Sequence, residues 1–192
     1  MSIRVSLRSP RRTDAGEFLA LARLSRTFYR GRAAPPHTLR AYESWCARAT
    51  TPRSRIWLIV RRADQAILGS IELSQIVRGR FQSAYLGYQI GAPFAGQRYM
   101  TEALPLALRQ AFGTLRLHRV EANVQPDNQA SLRLVERLGF RREGYSPRYL
   151  KLGGRWRDHE RWALLAEEWR ARPKSRRDAP SHVTRMSQAT TK

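Results

Sequence analysis

The sequence predicts an α+β fold: one domain on a mixed, mostly antiparallel sheet, with a single parallel strand pair near its centre and helices flanking it. Three observations predict it. Residues 56–76 hold two β-rich runs separated by four turn residues, the pattern of an antiparallel hairpin. Residues 83–124 read strand, glycine-containing loop, helix, strand, and such a crossover sets its two strands parallel. Residues 141–167 then offer a closing antiparallel pair. The length, 192 residues, suits one domain with a short extension.

The elements follow in order. Residues 3–8, Ile-Arg-Val-Ser-Leu-Arg, alternate apolar with polar as a half-buried strand does. Asp14 and Glu17 have capping-box spacing, and Phe18, Leu21, Ala22, Ser25 and Phe28 recur at helical spacing after them. Pro35-Pro36 is a break, and Thr38 can cap a second helix with Leu39, Tyr42, Trp45, Cys46 and Ala49 on one face. The hairpin runs are Ile56–Arg62 and Ile67–Ile76, and a third run, Ser83–Ile90, follows the Arg78-Gly79-Arg80 turn. Gly91–Gly96 is a loop, Thr101–Phe112 a helix closed by Gly113, and His118–Val124 a strand. Asp127 can cap a helix carrying Leu132, Val135 and Leu138 and ending at Gly139, before the strand segments 141–152 and 159–167. Residues 1–170 therefore form the domain. Residues 171–192, basic and Ser/Thr-rich without apolar periodicity, read as a disordered tail.

Composition narrows the function classes. An apolar fraction of 42% is enough for a real core, and the lone Cys46 excludes a disulfide framework or a cysteine-rich metal site. The arginine-interrupted N-terminus has no signal-peptide run, and no apolar stretch approaches the ~20 residues of a membrane helix. A soluble, cytoplasmic protein in a reducing compartment is the expectation. The 36 basic residues against 15 acidic ones give +21, a field that draws polyanions such as RNA, ribosomes or a nucleotide. Lys151, Lys174 and Lys192 are the only lysines, and so strong a bias to arginine can equally reflect coding composition.

The crossover is where chemistry would sit. A strand ending in a glycine loop that opens a helix presents unpaired N–H groups and a positive helix end, which together bind phosphate. Here that segment is Gly91-Ala-Pro-Phe-Ala-Gly-Gln-Arg-Tyr-Met-Thr-Glu-Ala-Leu104. Alone, it is equally a plain strand-to-helix connection.

Four further runs join it in order: Leu117-His-Arg-Val-Glu-Ala122, Pro126-Asp-Asn-Gln-Ala-Ser131, Gly139-Phe-Arg-Arg-Glu-Gly144 and Gly154-Arg-Trp-Arg-Asp-His159. With these, and with Ser25-Arg26 and Pro35-Pro36, the chain resembles the GNAT superfamily of N-acetyltransferases over about residues 3–169. It is similar in particular to the RimJ/RimL branch, which acetylates ribosomal-protein N-termini. The resemblance implies a GNAT-like sheet splayed between strands 83–90 and 118–124, with acetyl-CoA in the splay. It implies pantetheine pairing along Tyr88, Gln89 and Ile90, and pyrophosphate on the N–H groups of Gly96, Gln97, Arg98, Tyr99, Met100 and Thr101. Asn128 matches a position that contacts the cofactor arm, or else caps its helix. Two departures stand out. The family loop usually has a second glycine where this chain has Arg98, which either crowds the pyrophosphate or contacts the phosphates. Pro105 requires either that the helix begin near Thr101 or that it kink.

Acetyl transfer to an amine needs a proton acceptor, an oxyanion donor and a proton for the departing thiolate. Ser131 matches a branch position serving the leaving sulfur; a plain serine in the first helical turn is the alternative. Glu121 is the candidate base on strand 118–124, against the alternative of a salt-bridged surface glutamate. Asn123 shares its face and cannot act as a base. Leu150 stands where the branch has glutamate, and Val135 where some relatives have an acidic tyrosine, so ordered water remains open as the route. His159 follows Asp158 with no second histidine at ligand spacing, so no metal is expected. The leading expectation is acetylation of a protein N-terminus, possibly ribosomal, with contact to RNA or the ribosome through the basic surface and tail. A small-molecule amine acetyltransferase, or a basic ribosome- or RNA-binding protein with a vestigial cleft, are the competing readings.

Overall fold

The computed structural model describes residues 3–172. Eight strands form one sheet: β1 (Val5–Arg8), β2 (Thr50–Thr51), β3 (Ser54–Arg61), β4 (Ile67–Val77), β5 (Ser83–Ile90), β6 (Arg119–Val124), β7 (Arg141–Leu152) and β8 (Arg155–Leu165). Their order is β1-β3-β4-β5-β6-β8-β7, with β2 paired to β3. Only the β5–β6 pair is parallel among these strands. The helices are α1 (Ala15–Leu24), α2 (Leu39–Ala47), α3 (Tyr99–Arg109), α4 (Gln129–Arg137) and α5 (Ala166–Ala171). The fold class, the parallel pair and its crossover helix are as the sequence predicts.

Strand alternation distributes the core over two faces. Ile56, Leu58 and Val60 of β3 point to α1 and α2, where Phe18, Tyr42 and Trp45 stack with ring centroids 5.1–5.8 Å apart. Ile59 points the other way, into the larger core that Ala103, Leu104, Ala107 and Leu108 of α3 form with Val120, Ala122, Val124 and Val135. Trp169 of α5 closes that core over Phe112, 6.0 Å away. Residues 173–192, nearly all of the expected tail, lie outside the described residues.

Several local expectations need correction. Asp14 and Glu17 form no capping box: Asp14 is held by Arg8 and the Arg11 N–H, and Glu17 accepts from the Ile67 N–H at 2.6 Å. The first helix stops at Leu24, leaving Phe28 46% exposed. The cap of α4 is Asn128, not Asp127; its side chain accepts from Ser131 N. Gly113 does not close α3, which widens into a π turn over Gln110–Thr114 before Arg116 takes the left-handed turn. The helix begins at Tyr99 and runs through Pro105, so the missing N–H is accommodated within it. Thr38 does cap α2, accepting from Ala41 N at 3.2 Å.

Candidate active site

The site begins where β5 and β6 part. Their pairing covers only Ser83–Tyr85 against Arg119–Glu121, whereas β5 stays paired to β4 as far as Ile90 and β6 to β8 as far as Val124. The facing edges of 86–90 and 122–124 are thus left open to a ligand. Gly87 lines the gap, and a β-carbon there would meet nothing within 4 Å. A crevice at the carboxyl ends of diverging strands is where α/β sheets receive ligands.

At the end of β5 the chain turns through Gly91 and a 3-10 turn at Ala92–Phe94 and enters α3. Gly96 (φ 75°) and Arg98 (φ 65°) both adopt the left-handed conformation, a backbone geometry of the kind that can gather successive N–H groups around an anion. The first bond closing the helix runs from Glu102 N to Arg98 O, so the amides before it precede the helical ladder. Gly96 has open space at its α-carbon; Gln97 and Arg98 are exposed, while Tyr99 and Met100 are buried and anchor the turn. Arg4 braces this loop from beside β1. Its guanidinium donates to Glu102 Oε1 at 2.9 Å and to Gln97 O at 2.8 Å, and lies 4.4 Å over the Tyr99 ring. Arg98 is exposed at this turn. These features fit a pyrophosphate.

On the α3/α4 face of the gap, Tyr88 of β5 and Ser131 of α4 are hydrogen-bonded hydroxyl to hydroxyl. Ser131 is 9% exposed, and its N–H is held by Asn128. Burial pushes the Tyr88 phenol up to about 12, so it remains protonated at neutral pH. The pair therefore sets two protonated hydroxyls in the wall of the splay. Sequence reasoning assigned Tyr88 to backbone pairing and missed its hydroxyl; alternation with Ala84 and Leu86 was the available signal. Ile90 presents a carbonyl that already accepts from Tyr29 Oη at 2.6 Å, and Gln89 reaches Ala33 O at 2.8 Å.

Glu121 and Asn123 share the opposite face. Glu121 accepts from Arg119 Nε at 2.9 Å, and Arg119 also grips Glu143, whose carboxyl falls to about 2. Glu121 is thus arranged as the salt-bridged alternative describes, its carboxylate paired with Arg119. His159 is buried, with Nδ1 bonded to Arg157 O at 3.0 Å, and burial pushes its imidazole down. Cys46 packs against the α1/α2 core, and burial pushes its thiol up. Among the described residues, no three His, Cys, Asp or Glu side chains are grouped to hold a metal. No helix among them is long and apolar enough to cross a membrane.

A splayed parallel pair, a left-handed loop at a helix N-terminus and a hydroxyl pair beside the gap together define an acyltransferase-like scaffold. Residues 4–141 match the family described as the acetyltransferase (GNAT) domain, and the chain belongs to that family. It is 43% identical over 106 residues to the [ribosomal protein uS5]-alanine N-acetyltransferase of Escherichia coli, and the match spans 55% of each chain, about half the length of that relative. Mycobacterium smegmatis RimJ in complex with CoA-disulfide superposes with a TM-score of 0.78 at 30% identity, covering 85% of this chain and 83% of that one. A chimeric spermidine N-acetyltransferase SpeG from Vibrio cholerae superposes with a TM-score of 0.75 over 88% of this chain and 99% of that one, but at 20% identity, a likeness of fold.

Proposed function

We propose that this protein transfers the acetyl group of acetyl-CoA to an amine, and that its acceptor is the N-terminal α-amine of a protein, ribosomal in origin. The observation that carries the reading is the Tyr88–Ser131 pair set in the wall of an open splay. Bound acetyl-CoA supplies an activated thioester. The amides from Gly96 to Thr101 would hold its pyrophosphate, with Arg98 free to add a charge-assisted contact. Ser131, supplied through Tyr88, would give a proton to the departing sulfur.

The α-amine acceptor follows from proton chemistry. Two carboxylates on the strands flanking the splay are already engaged: Glu121 by Arg119, and Glu72, cross-strand from Gly87, by Trp45 and Arg48. An aliphatic ammonium of pKa ~10.4 must lose a proton before it can attack, whereas an α-amine, at ~7.7–8.0, is partly neutral at physiological pH. Solvent water then suffices as proton acceptor, and Glu121 acts on Arg119 rather than on substrate. The +21 charge supports encounter with an acceptor embedded in RNA, and residues 171–192 would add to that attraction. The Escherichia coli relative is named as an alanine N-acetyltransferase of a ribosomal protein, which favours this acceptor class. The likeness to a spermidine acetyltransferase keeps a polyamine as the second reading.

The test follows release of the CoA thiol with peptides of free or acetyl-blocked N-terminus. The reading expects turnover on the free peptide alone, with kcat/KM rising through about pH 8 as the α-amine deprotonates. Equal turnover on the blocked peptide would overturn the acceptor assignment.

A further inference from the structure

On the face of the splay opposite Ser131, a second pair of hydroxyls meets. β7 pairs with β8 at Ser146 with His159 and next at Leu150 with Arg157, so residues 147–149 stand against Asp158 alone. Pro147 has no N–H to give the ladder, and Arg148 takes the left-handed conformation at φ 48°. Asp158 holds this bulge with its side chain: Oδ1 accepts from the Arg148 N–H at 2.7 Å and Oδ2 from Tyr145 Oη at 2.5 Å. A bulge bends its strand and re-aims a side chain.

The side chain re-aimed here is Tyr149. Its ring centroid lies 6.2 Å from that of His159, and its hydroxyl hydrogen-bonds with the Tyr85 phenol. β7 and β5 are three strand spacings apart, about 14 Å, so Tyr149 reaches Tyr85 across the face of β8 and β6. Burial first, and then this bond, push the Tyr85 phenol up, as donating its proton to Tyr149 does. Tyr149 Oη keeps a second lone pair for another donor. Both tyrosines are partly exposed, beside the exposed Gly87.

Tyr85 is also where the gap closes, as the last residue of β5 paired to β6. With the phosphates at Gly96–Thr101 and the cofactor arm running back along Ile90–Tyr88, the thioester comes to that closed end. Tyr88 and Ser131 then stand on one side of it and, by strand alternation, Tyr85 with Tyr149 on the other. We propose that Tyr149 orients the acceptor: its phenolic oxygen takes one N–H of the neutral amine, turning the nitrogen lone pair toward the thioester carbon. This rests on the acetyltransferase reading above and adds to it the residue that receives the nucleophile. The C–N bond forms as the C–S bond breaks, the nitrogen sheds a proton to water, and the sulfur takes one from Ser131. Asp158 is a positioning residue that acts through Tyr149. An amine held by one directed bond samples fewer unproductive poses.

The experiment follows CoA thiol release with Ala-Gly-Gly-amide, and calorimetric binding of acetyl-CoA, for the full chain, Tyr149→Phe, Asp158→Ala and the double variant. Tyr149→Phe keeps the ring beside His159 and removes only the hydroxyl. Its kcat/KM should fall roughly tenfold while acetyl-CoA affinity is unchanged. Asp158→Ala should lower kcat/KM as well, and adding it to Tyr149→Phe should cost little more, since both act through one hydroxyl. Should Asp158→Ala lose acetyl-CoA binding, Asp158→Asn takes its place, with a smaller loss and the same non-additivity expected. Full activity of Tyr149→Phe would mean that the ring alone is used, and it overturns the inference. So does loss of acetyl-CoA binding by that variant, which would put the hydroxyl on the cofactor's side. Additive losses in the double variant overturn the role of Asp158. A wild type that acetylates no amine overturns the acetyltransferase reading too.

Discussion

Arg98 shows how one side chain can oppose its own backbone. A non-glycine residue at φ 65° is strained by roughly 1–3 kcal/mol, and the position is one where glycine would be at ease. The compensation we assign is a guanidinium free to reach a phosphate, typically worth ~1.5–3 kcal/mol. Arg98→Ala should therefore weaken acetyl-CoA binding about tenfold or more, and Arg98→Gly should weaken it similarly while raising the melting temperature. Calorimetry that finds tighter binding by Arg98→Gly would mean the side chain obstructs the loop. Ser131→Ala should lower kcat more than it weakens binding of CoA; an unchanged kcat would return Ser131 to packing. At this scale the sequence was half legible. Motif spacing led to Ser131 and the loop, but the partner of Ser131 lies 43 positions away, and only the fold brings Tyr88 to it.

Among the elements, strands were easier to read than helix ends. Alternation in Val5–Arg8, Ser83–Ile90 and Arg119–Val124 follows directly from one-sided or two-sided burial, which a sequence records residue by residue. Caps depend on tertiary competition: Asp14 had capping spacing but Arg8 took its carboxylate at 2.7–2.8 Å, and Glu17 was drawn to β4. Pro105 illustrates the same limit, since the packing of Leu104 and Leu108 keeps α3 continuous across a residue that lacks an N–H. Restoring that donor toward Thr101 O should contribute about 1 kcal/mol, so Pro105→Ala should raise the melting temperature by roughly 2–4 °C. A lower melting temperature would mean that the proline ring itself supports the helix.

For the whole molecule, topology was legible because one short parallel crossover between antiparallel hairpins admits few arrangements. The length of the splay was not, since it depends on where β5 pairing to β6 stops, at Tyr85, and no side chain in that stretch announces it. The charge of +21 was plain from the start, but what it serves depends on the acceptor. The central claim is that the splay, its phosphate loop and the Tyr88–Ser131 pair acetylate protein α-amines. The most direct measurement is to incubate the full chain with acetyl-CoA and total ribosomal proteins, then read every N-terminus by mass spectrometry. The account predicts acetyl on the α-amine of one or a few ribosomal proteins, absent without enzyme and reduced with Ser131→Ala. Acetyl confined to lysine side chains, or none on any protein while spermidine is acetylated, would contradict it.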